Sequence, residues 1–135
     1  MEDVMRSGTL RLAKKNMLAY LETHDSCYIA EDAIYINTSS GERAVGREAI
    51  KKMLDFYYRV AFNAYPKITN RIVTGTKAMV EGFFIGKHIG EFWGVSPTGK
   101  AVTVPFCVSY TLNDGLIKEA RIFLSGDMLL SQLQH

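Results

Sequence analysis

Apolar residues along this chain follow two spacings, helical over the first half and strand-like over the second. Leu10, Ala13, Met17, Tyr20 and Leu21 recur every three or four positions, which predicts an amphipathic helix from Thr9 to about Thr23. Asp25 to Ala30 can add a short second helix. Ala33-Ile-Tyr-Ile36 then reads as a strand, closed by the turn-rich Asn37-Thr-Ser-Ser-Gly41. In the next helix Ile50, Met53, Leu54, Tyr57, Tyr58, Ala61 and Phe62 share one face, while Lys51, Lys52, Asp55 and Arg59 take the other. Gly46 precedes it and Pro66 stops it, so it spans about Arg47 to Ala64. From Lys67 onward the pattern is that of strands.

One of those strand segments, Ala78 to Trp93, would be about 50 Å long if flat, at roughly 3.3 Å per residue. A domain of this size has no room for that. Gly82, Gly86 and Gly90 supply places to bend, so the sheet is expected to curve. Two helices early, a curved antiparallel meander of four to six strands later and a short last helix give an α+β fold. A sheet wrapped over helices leaves a cone with one open mouth, and such cavities suit small apolar ligands.

The Asp114-Gly115 pair favours a two-residue hairpin turn, which sets a ladder. Asn113 then faces Leu116, Tyr110 faces Glu119, Val108 faces Arg121, Phe106 faces Phe123 and Val104 faces Ser125. Side chains alternate, so these share one face, and its aromatic content assigns it to the interior. Thr111, Lys118, Ser109, Ala120, Cys107 and Ile122 take the other face. A slip of one residue would invert the assignment.

Composition narrows the function. The chain has 135 residues, the size of one domain (residues 1–135), with 47% hydrophobic and 22% charged residues. A net charge of +2 without runs of like charge gives no footprint for nucleic acid. No apolar segment approaches the roughly 18 residues of a membrane span. The N-terminus has no apolar signal core, and Cys27 and Cys107 lie far apart. A cytoplasmic setting with free thiols is therefore expected. His24-Asp25 reads as a helix-end turn without a third ligand at metal spacing, so no metal is expected.

Particular motifs carry a resemblance. Asp25, Ala30-Glu-Asp-Ala33 and Gly46-Arg-Glu-Ala-Ile50 come first. His88-Ile-Gly-Glu-Phe92, Pro97-Thr-Gly-Lys100, Asp114-Gly-Leu-Ile117 and Gln132-Leu133 follow in order. Together they resemble the SnoaL-like polyketide cyclases of the nuclear transport factor 2-like superfamily. The resemblance implies a cone-shaped fold, with a curved antiparallel sheet wrapped around N-terminal helices. It also implies ring closure by aldol condensation without metal or organic cofactor, an aspartate near the end of the last strand moving the proton. In the family pattern that aspartate lies seven residues before the glutamine of the final Gln-Leu. Here the position is Ser125, and serine needs another group to activate it as a base. Asp127 fills the role if the strand end shifts by two residues; otherwise it caps the last helix.

Three functions stay open: a cofactor-independent cyclase or isomerase working through an enol or enolate, a non-catalytic binder of a small hydrophobic ring compound, and a dimeric scaffold. For an enzyme, the expected proton-transfer groups are Asp127, His88 and Ser125. The expected substrate-binding residues are Tyr57, Phe106, Tyr110, Arg121 and Phe123. Tyr35 is a further hydroxyl, Glu119 a partner for Arg121, and Trp93 a cap on the cavity or part of a dimer face. The outward sheet face, with Thr103, Cys107, Ser109 and Ile122, is expected to form a homodimer.

Overall fold

Ala13, Met17 and Tyr20 are sealed from solvent along one side of α1 (Glu2–Thr23), as their spacing requires. The chain is seen in a computed structural model that describes residues 2–134, with side chains from residue 8 onward. After α1 the expected second helix is only a 3-10 turn, Ser26–Tyr28, held by the Asp25 carboxylate accepting from the Cys27 N–H at 2.9 Å. Six strands follow: β1 (Ile29–Asn37), β2 (Arg43–Val45), β3 (Phe62–Val73), β4 (Lys77–His88), β5 (Ala101–Asn113) and β6 (Leu116–Leu124). Between β2 and β3 lies α2 (Arg47–Asp55), and α3 (Gly126–Gln134) ends the described chain.

Two expectations about the middle of the chain are corrected. The helix does not run to Ala64. It widens after Asp55 into a π turn, Phe56–Val60, and β3 has begun by Phe62. Pro66 is no helix stop; it sits inside β3, paired with Phe84. β3 is the last strand of the sheet, and an edge strand tolerates a residue without an N–H.

The strands form one curved sheet in the order β2-β1-β6-β5-β4-β3. Neighbours are antiparallel except β1 and β6, which are parallel, so the sheet is mixed. That pairing arises because the meander β3–β4–β5 carries the chain across the sheet before β6 returns beside β1. The segment expected to be one very long strand ends at His88, and the chain reverses in a tight turn at Trp93-Gly94, both with positive φ. Gly82 lies where β3 bulges between Ile68 and Asn70. A Cβ there would overlap the Lys67 carbonyl, so glycine permits the close approach.

The final hairpin starts as expected and then departs. Asp114 and Gly115 both have positive φ, Asn113 pairs with Leu116 and Leu112 with Ile117. A one-residue bulge then shifts the ladder, so that Thr111 faces Glu119, Tyr110 faces Ala120 and Ser109 faces Arg121. Lys118, at the bulge, is tied to Asp32 beside β6 by a 2.6 Å ion pair. From Ala120 on, the even-numbered residues of β6 face inward and the odd-numbered ones outward.

Candidate functional site

β5 and β6 build one wall of a cavity, because the shifted register stacks Tyr110 on Ala120, Val108 on Ile122 and Phe106 on Leu124. The opposite wall is Tyr20 of α1, His24 just beyond it, Met53 and Leu54 of α2, and Tyr57 and Tyr58 of the π turn. Tyr35 and Asn37 of β1 sit between the walls. The cavity is narrow, about 60 Å³, and among the described residues no aspartate or glutamate lines it. A wider cleft of about 370 Å³ adjoins it, and Leu21, His24, Leu54, Tyr58 and Pro66 line both spaces.

The polar groups inside are mostly phenols. Tyr20 and Tyr35 share a buried hydroxyl–hydroxyl bond of 2.7 Å, and the Asn37 amide donates to the Tyr57 hydroxyl at 2.8 Å. Burial pushes the Tyr20, Tyr35 and Tyr110 phenols well above their ordinary pKa, and neighbouring phenols add to the effect for each. Burial alone raises Tyr58. All four are therefore neutral donors near pH 7. Among the described residues the hydroxyls of Tyr58 and Tyr110 have no hydrogen-bond partner, and neither is sealed off from the cavity.

His24 closes α1 with φ at 52°, a left-handed conformation more usual for Gly or Asn at a helix end. Its N–H still reaches the Tyr20 carbonyl at 2.7 Å. The imidazole lies between the rings of Tyr20 and Tyr58, with centroids 5.2 Å from each. Burial first, and the Arg59 charge second, hold its pKa below the ordinary histidine value.

The residues expected from sequence divide sharply. Tyr57, Phe106, Tyr110 and Tyr35 line the cavity. Arg121 and Phe123 do not: the bulge turns both to the outer face, where Phe123 is 49% exposed and Arg121 pairs with Glu119 at 3.7 Å. Ser125 is exposed at the start of α3, its hydroxyl accepting from the Met128 N–H at 3.1 Å, and Asp127 is exposed in the first turn. Both lie outside the lining.

His88 is fully buried, but in a second apolar cluster with Phe62, Phe84 and Phe92 as neighbours, and not at the cavity wall. Its Nδ1 accepts the Thr98 N–H at 3.1 Å, which places the ring proton on Nε2 and pins the loop after β4. Trp93 stacks on Phe92 at 5.1 Å and lies against Gly126, away from the cavity. Cys107 faces outward beside Phe123, while Ile122, expected on that face, is inside.

Sequence reasoning passed over Tyr20, His24, Asn37 and Tyr58 as site residues. Tyr20 and Tyr58 carried a signal, since each stands on an apolar stripe at helical spacing, whereas His24 follows the last residue of α1. Among the described residues no three His, Cys, Asp or Glu side chains gather as a metal site, and no helix is long and apolar enough to cross a membrane.

The sequence from residue 20 to residue 133 matches the family model of the SnoaL-like polyketide cyclases. The chain belongs to the SnoaL-like polyketide cyclase family. Solved structures of the same fold accompany this SnoaL-like chain. A candidate SnoaL-like polyketide cyclase from Jannaschia sp. CCS1 is similar at 21% identity and a TM-score of 0.83, with 95% of each chain covered. A candidate polyketide cyclase from Xanthomonas campestris pv. campestris is 18% identical, with a TM-score of 0.80 over 93% of this chain and 98% of that one. A protein of ketosteroid isomerase-like fold from Catenulispora acidiphila, solved with trimethylamine, is 21% identical, with a TM-score of 0.68 over 81% and 78%. No functionally curated protein matches the SnoaL-like chain.

Proposed function

We propose that this SnoaL-like chain binds a small, uncharged ring compound bearing a carbonyl or enol oxygen. The observation that carries the reading is the pair of unpartnered phenol hydroxyls, Tyr58 and Tyr110, in an apolar cavity without a carboxylate. Apolar walls take the ring, and two neutral donors take the oxygen. An anion would meet no cation among the lining residues, and a phosphate no donor set of its size. The narrowness of the cavity fits entry by displacement of side chains, with Tyr58 on the π turn as the wall nearest the outer cleft.

The position of Asp127 and Ser125 outside the cavity argues against a carboxylate at the strand end as the proton-transfer group. The binding reading stands without it. Calorimetry with 2-tetralone and with its hydrocarbon counterpart tetralin tests this. The ketone should bind more tightly, and Tyr110→Phe and Tyr58→Phe should each weaken it by about 3- to 10-fold while leaving tetralin unchanged, the usual worth of one hydrogen bond. Equal affinity for ketone and hydrocarbon would count against the phenols as an oxygen site. Absence of binding by both compounds would remove the reading.

A further inference from the structure

Among the described residues His24 is the only cavity-lining side chain that can exchange a proton near neutral pH, and three features mark its placement. It is held by a left-handed backbone, with φ at 52°, a conformation uncommon for residues other than glycine. Its ring sits between Tyr20 and Tyr58, two of the phenols of the donor cluster. It also lines both the inner cavity and the outer cleft, so one imidazole touches ligand space and solvent space. Among the described residues neither ring nitrogen has a hydrogen-bond partner, and neither is sealed from both spaces.

We infer that His24 is a catalytic base that removes and returns the proton beside the carbonyl of the bound ring compound. The inference rests on the carbonyl-binding reading above and adds a reaction to it. In the forward step the C–H bond next to the carbonyl breaks, and the proton goes to the imidazole. The electron pair forms a carbon–carbon double bond and leaves the negative charge on oxygen, where the Tyr58 and Tyr110 hydroxyls donate to it. The imidazolium then returns a proton to the same carbon or to a conjugated one. Nothing is oxidised or reduced, and the product is the starting ketone or its double-bond isomer. Contact with the outer cleft lets the imidazolium trade its proton with water between the two steps.

The surroundings keep the base ready. Facing His24 are Tyr20 from α1, and Tyr58 and Arg59 from the π turn. The outer cleft adds Glu22 of α1, Lys51 and Asp55 of α2 and Tyr65 of β3. Burial and Arg59 lower the imidazole pKa, so the ring is neutral and able to accept a proton at pH 7. A base of this kind is present above its pKa and lost as pH falls through it.

The test is deuterium exchange into 2-tetralone at its carbonyl-adjacent positions in D2O, followed by NMR, with protein-free buffer subtracted. Wild-type protein should accelerate exchange, with a rate that rises with pH through a midpoint below 6.5, the ordinary histidine value from which burial and the Arg59 charge shift the imidazole downward. His24→Asn keeps a residue that accepts positive φ. It should lose about 10²-fold of the protein-dependent rate, the lower end of a general-base contribution. A cooperative thermal melt of the variant shows that it is folded, so that lost exchange reports the missing imidazole. Equal exchange by His24→Asn would overturn the role of His24. Binding by the wild type without accelerated exchange would overturn the role too, while leaving the binding site standing. Failure of the wild type to bind 2-tetralone would remove the binding reading and this inference with it.

Discussion

Ser125, expected from sequence as a proton-transfer group, stands at the head of a helix instead. Its hydroxyl accepts the Met128 N–H, which satisfies one of the free donors at the start of α3. Ser125→Ala should therefore lower stability by about 1 kcal/mol, a fall of roughly 3–5 °C in melting temperature for a domain of this size. Affinity for 2-tetralone should not change. Asp127→Asn should cost less, about 0.3–1 kcal/mol through the helix dipole, again without effect on binding. A drop in ligand affinity in either variant would contradict the placement of both residues outside the cavity. At this scale the sequence was informative where a residue sits on a regular stripe. Tyr57 and Tyr110 were found because a helix and a strand carry them inward by simple periodicity. His24 was not, because its direction depends on a single left-handed residue after the helix, and periodicity stops where the helix does.

The elements were legible wherever the apolar period was long, and their ends were not. α2 and the π turn share one apolar stripe through Tyr57 and Tyr58, so the pattern could not reveal that the helix widens and stops before Phe62. The last hairpin is the sharper case. Its turn was readable from Asp114-Gly115, but the bulge at Lys118 was not, since nothing in the local alternation marks one extra residue. That one residue exchanged Arg121 and Phe123 for Ile122 and Leu124 at the cavity. Close approach between elements makes a different prediction. A Cβ on Gly82 would meet the Lys67 backbone, whereas one on Gly126 would meet the far end of the Trp93 indole. The β3 backbone is held by its ladder to β4, while a half-exposed indole can swing away. Gly82→Ala should thus cost about 1–3 kcal/mol, as overpacking does. Gly126→Ala should cost less and shift the fluorescence of Trp93, the sole tryptophan. Thermal melts and emission spectra of the two variants decide it, and the reverse ranking would contradict the packing.

The whole molecule has one sheet with two unlike faces, and the bulge that shapes the cavity also shapes the outside. By turning Phe123 outward beside Cys107, it adds that ring to the outer face of the sheet, where Cys107 pairs with Glu81 and the exposed Met79 and Phe83 flank Glu81 along β4. Met79, Phe83 and Phe123 are 50%, 38% and 49% exposed, large apolar side chains on the outer face of the sheet. No helix of the described chain packs over them; α1 and α2 lie on the cavity side, and α3 reaches the sheet near Thr103, where Gln132 accepts its N–H at 2.9 Å. An exposed apolar patch on a sheet face is a common place for a second subunit. We propose that two copies of the chain meet through this face. Light scattering at micromolar concentration should then give twice the 15.2 kDa of one chain. The double variant Phe83→Lys, Phe123→Lys should be monomeric, because two buried like-charged pairs across a symmetric interface repel and lose their hydration. Its affinity for 2-tetralone should match that of the wild type, since both substitutions lie on the face opposite the cavity. A wild-type mass of one chain would rule out the dimer. A double variant that stays dimeric would move the interface elsewhere.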